Sequence, residues 1–124
     1  MSAGASMNSA SARNAITQAK LWYWQRISAM VLALCVLVHL GVMIYAVRGG
    51  LSGAEILSRT KGSVVFGVFY TVFVLACAVH VPIGFARICE EWLGMRAVAA
   101  TIVAKLLGLA ILVMGLRAVY AVVL

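Results

Sequence analysis

Acidic side chains are almost missing from this chain: three glutamates and no aspartate stand against ten lysines and arginines in 124 residues. Charged residues of both signs make up only 10%, where a soluble domain carries about a quarter. So little charge excludes an ordinary water-facing surface. The few carboxylates, Glu55, Glu90 and Glu91, all fall outside the long apolar runs, which argues against a proton channel or transporter, since those need carboxylates within the spans. Cysteine occurs three times, at Cys35, Cys77 and Cys89, with no CxxC spacing. A structural zinc site needs more ligands set closer together, so the three are read as small core residues. The ten basic residues are scattered singly and form no stripe, which excludes a nucleic-acid footprint.

What is present is apolar bulk, 65% of the residues. The solvent for such a chain is lipid. Residues 1–20, rich in Ser, Ala and Asn, lack the apolar run of a secretory signal and read as a disordered cytoplasmic tail. The rest, 21–124, reads as one anchor domain of three transmembrane helices. The first runs from Leu21 to Val47, with Trp22, Tyr23 and Trp24 as an aromatic belt at one end and Tyr45 and Arg48 at the other. Since about 20 residues cross the hydrocarbon, it spans with residues to spare. Gly49 and Gly50 end it. In Leu51–Lys61, Ser52 precedes Glu55 at capping-box spacing, and a short interfacial helix is expected. The second span runs from Gly62 to about Ile88 with Pro82 inside it. Cys89–Arg96 reads as a polar turn, and the third span covers Ala97–Leu124. Lys105 and Arg117, within that span, can snorkel to opposite interfaces. The fold class is therefore an all-α membrane protein with a short interfacial helix between its first and second spans.

Topology follows from the basic residues. Arg13, Lys20, Arg26, Arg87, Arg96 and Lys105 collect on the N-terminal side, against Arg48, Arg59, Lys61 and Arg117 on the other. That imbalance favours a cytoplasmic N-terminus and an external C-terminus.

Both histidines, His39 and His80, lie inside spans. A polar ring at that depth is costly and marks a functional site by default. Two readings stand side by side: an imidazole hydrogen-bonded to a neighbouring helix, or an axial ligand of haem iron. His39 lies toward the external side of its span and His80 toward the cytoplasmic side, roughly 15 Å apart in depth at 1.5 Å per residue. Two axial nitrogens on one iron are only about 4 Å apart, so the pair cannot share one haem. Each would need a histidine from another chain.

His80 opens the run His-Val-Pro-Ile-Gly-Phe-Ala-Arg. Gly84 and Arg87 follow on the same helical face. Gly84 offers room for a flat macrocycle or simply for close helix packing. Arg87 offers a cation for a haem propionate or a quinone oxygen, or simply an interfacial anchor. A second constellation, Gln25-Arg26-Ile27-Ser28-Ala29, brings Arg26 and Ser28 into the membrane at the level of Arg87, Glu91 and Trp92. These suit a quinone headgroup, or an interfacial belt that only anchors the helix.

Gln-Arg-Ile-Ser-Ala opening the first span and His-x-x-Ile-Gly in the second together resemble the membrane-anchor cytochrome b subunits of succinate dehydrogenase and fumarate reductase, over about residues 21–124. The resemblance implies an electron-transferring anchor at the bacterial inner membrane, held to flavoprotein and iron–sulfur subunits and passing electrons to or from membrane quinone. It implies His80 as a haem b ligand and Arg26 and Ser28 as quinone-site residues. Glu91 and Trp92 stand where some anchors have an Asp-Tyr pair, and Gln25 where some have a histidine. His39 departs from the single-haem pattern and looks like half of a two-haem arrangement. One or two haems, completed by an identical or related anchor chain, are therefore expected. The competing reading is a cofactor-free scaffold whose histidines only join helices.

Overall fold

In lipid a backbone must satisfy its own polar groups, and a helix does so within one segment. The computed structural model, which describes residues 2–124, is built accordingly: α1 (Ser2–Arg48), α2 (Gly53–Thr60), α3 (Val64–Trp92) and α4 (Ala97–Val123), with no strand among the described residues. Three of these helices are long and apolar enough to cross a membrane. The architecture agrees with the expected three spans and intervening short helix.

α1 does not begin at the aromatic belt. It continues back to Ser2, so the described part of the segment expected as a disordered tail extends the helix, while Met1 lies outside the described residues. No proline interrupts this stretch and six alanines favour helix. At 1.5 Å per residue α1 is about 70 Å long, more than twice the hydrocarbon thickness.

α2 has the expected cap. The Glu55 amide donates to Ser52 Oγ at 3.2 Å and the Ser52 amide donates to the Glu55 carboxylate at 2.6 Å. That backbone bond and then the Ser52 hydroxyl hold the Glu55 carboxyl below its ordinary value of 4.5, with desolvation opposing them and the nearby Arg59 adding a lesser pull. The other end of α2 is tied to the end of α4: Thr60 Oγ1 donates to the Val122 carbonyl at 2.7 Å, and the Gly62 amide donates to the Val123 carbonyl at 2.6 Å.

α3 lies between its neighbours, packing on α4 along one side and on α1 along the other. The α4 face toward α3 is a row of small residues: Ala100, Ala104 and Gly108 are buried, and Gly115 continues the row. Small residues let membrane helices approach closely. At Gly108 a β-carbon would lie 2.5 Å from Pro82 Cγ and 3.5 Å from the Ala78 carbonyl. That carbonyl is the one Pro82 leaves without its helical donor. The proline therefore sits where α4 comes nearest.

α3 also runs further than the expected end at Ile88. Cys89, Glu90, Glu91 and Trp92 are helical, and the chain turns only at Gly94, which takes φ +62°. Glutamate favours helix, Cys89 is buried against the bundle, and no residue before Gly94 breaks the pattern. The two glutamates are thus on the last turn of α3, not in a loop.

Candidate functional site

The α1 residues facing α3 recur at alternating steps of three and four: Gln25, Ser28, Leu32, Cys35 and His39. This is the seam of two helices packed nearly antiparallel. Three of the five are polar, and each meets a named group across the seam.

Ser28 is 5% exposed, and its Oγ lies 3.4 Å from His80 Nδ1. The same hydroxyl donates to the Gln25 carbonyl at 3.1 Å. A serine has one hydrogen to give. With it directed to Gln25, Ser28 Oγ is placed to accept from His80 in the tautomer that carries its proton on Nδ1, and that tautomer leaves a lone pair on Nε2. One turn along, Gly84 faces Gln25: a β-carbon there would lie 3.1 Å from Gln25 Nε2. The room beside Gly84 is therefore taken by the Gln25 amide. Gln25 Oε1 is buried with no hydrogen-bond partner, a deficit of about 1–3 kcal/mol unless a donor from outside the chain reaches it. A further turn toward the end of α3, Arg87 donates to Gln18 Oε1 at 3.5 Å. His80, Gly84 and Arg87 do share one face, and that face looks onto α1.

His39 occupies a separate level. Its Nδ1 lies 3.3 Å from the Tyr70 hydroxyl, and its ring meets Tyr70 and Phe73 edge to face, with centroids 5.6 and 5.7 Å away. Ser28, level with His80, is 11 residues before His39 on α1, or about 16 Å along the axis. His39 also borders a cavity of about 540 Å³ between α2, α3 and α4, walled chiefly by Val74, Ile111, Val119 and Val122.

The remaining expected residues do not converge. Arg26 is exposed and stacks over the Trp22 ring at 5.2 Å, on a different face of α1 from Ser28, because two residues on a helix differ by about 200°. Glu91 lines a cleft of about 280 Å³ between α1, α3 and α4, together with Arg87, Glu90 and Lys105. Trp92 is 83% exposed. Gln18, Tyr70 and Lys105 were not singled out as site residues from the sequence. Only Gln18 carries a signal, being seven residues before Gln25 on the same seam. The cysteines are free, with Cys35 and Cys89 buried.

Could these residues hold a haem? His80 would offer Nε2 to a metal while Nδ1 faces the Ser28 hydroxyl, the arrangement in which a second group orients a ligating histidine. Among the described residues no three His, Cys, Asp or Glu side chains cluster, so this chain supplies one nitrogen per depth. The donor chemistry of His80 suits a single ligand to a haem iron, and this chain brings no second histidine to that depth.

A family model described as the succinate dehydrogenase/fumarate reductase transmembrane subunit matches residues 8–116. No curated protein and no solved structure matches the chain.

Proposed function

This chain belongs to the family of transmembrane subunits of succinate dehydrogenase and fumarate reductase, and we propose that it is the haem b-binding, electron-transferring anchor of such a complex, with His80 as axial ligand. The observation that carries the reading is the Gln25–Ser28–His80 chain of contacts, which places Ser28 Oγ at His80 Nδ1 and would leave Nε2 for a metal.

Haem b, when bound, supplies a one-electron relay between an iron–sulfur partner and membrane quinone. The protein's own part is to orient. Ser28 holds the His80 ring, and the α1–α3 seam keeps water from that side. Arg26, exposed at the interface and braced on Trp22, is the donor this chain offers to a quinone carbonyl or a haem propionate. Ser28 acts through His80. A second ligand to the haem and the rest of the quinone pocket would come from another anchor chain. The positive-inside imbalance supports a cytoplasmic N-terminus at the bacterial inner membrane, with the flavoprotein and iron–sulfur subunits on that side.

His39 supports a second, outer haem. It stands one bilayer leaflet away from His80, beside an apolar cavity and with its own ring held by Tyr70.

The test is a reduced-minus-oxidised visible spectrum of the purified complex for wild type, His80→Ala and His39→Ala. Loss of the low-spin b-type signal in His80→Ala supports the anchor cytochrome, and a partial loss in His39→Ala adds the outer haem. An effect of His80 alone returns His39 to helix packing. A colourless wild-type complex with its partner chains present overturns the cytochrome and leaves a cofactor-free scaffold.

A further inference from the structure

The cleft at the C-terminal end of α3 carries charges of both signs in a fixed order of depth. Arg87, Glu90 and Glu91 come from α3 and Lys105 from α4, around a space of about 280 Å³. Arg87 bonds only to the neutral Gln18, and no Lys or Arg lies within salt-bridge distance of a carboxylate among the described residues. Two cations and two carboxylates therefore face one cleft without neutralising each other in pairs.

Their levels differ. Glu90 and Glu91 are on the last turn of α3, and Arg87 is one turn, about 5 Å, further into the membrane. Lys105 is on the third turn of α4, about 12 Å from its start. Below the charges the wall is apolar, formed by Pro82 and Ile83. The C-terminal end of α3 adds its own partial negative charge beside the glutamates.

We propose that this cleft binds a zwitterionic phospholipid headgroup bearing a primary ammonium, such as phosphatidylethanolamine. The phosphate, which is nearer the acyl chains, meets Arg87 and Lys105. The ammonium, which is nearer the water, meets Glu90 and Glu91. The first acyl carbons lie along Pro82 and Ile83. Net charge in the cleft is zero, matching a neutral zwitterion and opposing an anionic lipid. A quinone headgroup carries no charge and calls for one or two donors, not four ionised groups.

The experiment is native mass spectrometry of the delipidated full complex, titrated with phosphatidylethanolamine, phosphatidylcholine or phosphatidylglycerol of identical chains, or with inorganic phosphate. Wild type should retain phosphatidylethanolamine about threefold better than either other lipid, the scale of one exposed ion pair. Phosphate alone should not bind. The double variant Glu90→Gln/Glu91→Gln should abolish the preference over phosphatidylcholine, and Lys105→Gln should lower retention of all three lipids. Equal retention of the lipids by wild type overturns the proposal, as does binding of free phosphate or an unchanged preference in the glutamate variant. The lipid comparison on wild type needs no variant to fold. The visible spectrum of the same samples reports separately on the haem.

Discussion

The Ser28 hydroxyl donates to the Gln25 carbonyl one turn back on its own helix and lies 3.4 Å from His80 Nδ1 across the seam. One small side chain thus stands where it can orient an imidazole on another helix. Ser28→Ala removes the acceptor and frees the ring to rotate. Loss of such a supporting partner commonly costs 10–100-fold in metal affinity. The expected result is a complex that assembles but loses haem far faster during purification, with a shifted midpoint potential for what remains. Ser28→Thr, which keeps the hydroxyl, should restore both. Haem-to-protein ratio and redox titration check this, and an Ala variant that is wild-type in both would show the relay to be idle.

Tyr70 plays the corresponding part for His39. Tyr70→Phe keeps the stacking and deletes the bond, which in a membrane is worth about 0.6 kcal/mol and at most about 1.7. Assembly should survive. If His39 serves an outer haem, Tyr70→Phe should diminish the same spectral component that His39→Ala removes, and leave the His80 component intact. A spectrum unaltered by both variants would make the His39–Tyr70 pair a helix tie.

The three spans and the short helix were legible because bilayer thickness and a capping box leave plain marks in a sequence: long apolar runs, and Ser52 three residues before Glu55. The depth order of His39 and His80 followed from counting residues. The contacts of the site were less legible. His80, Gly84 and Arg87 were recognisable as one face, but which neighbour that face meets is decided by tertiary packing, and it meets Gln25 and Ser28 of α1. Arg26 and Ser28 looked like one site because they are close in sequence, yet a two-residue step on a helix sends them to different faces. The end of α3 was drawn too early because Glu90 and Glu91 are polar, although polarity at a membrane edge does not stop a helix. The charged cleft was invisible, since Lys105 reaches it from α4 across a register that only the small-residue row of α4 determines.

That row can be tested directly. A β-carbon at Gly108 would lie 2.5 Å from Pro82 Cγ, whereas one at Gly41 meets nothing within 4 Å. The proline ring cannot swing aside as a flexible side chain would, so α3 and α4 must separate. Gly108→Ala should destabilise the bundle by about 1–3 kcal/mol, the usual cost of overpacking. Gly41→Ala should be neutral or slightly stabilising, because alanine loses less backbone freedom in a helix. Thermal unfolding of the two variants in the same detergent separates local packing from a general aversion to added methyl groups. Equal melting temperatures would contradict the close approach at Pro82.

Glu55 gives a pH dependence whose sign is fixed. Its carboxyl is held below its ordinary 4.5 by the Ser52 amide first, then by the Ser52 hydroxyl and Arg59. A group whose folded value is depressed contributes stability that is complete above the ordinary value and is lost as pH falls through the lowered one. α2 should therefore be fully capped at neutral pH and begin to fray below about pH 4.5. Hydrogen exchange of the α2 amides, corrected for the intrinsic rate at each pH, should show falling protection on acidification. Glu55→Gln keeps an acceptor at the cap but cannot ionise, so its protection should be lower at neutral pH and flat across the same range. Protection in wild type that rises on acidification would reverse the sign and discard the carboxylate as the source of the cap.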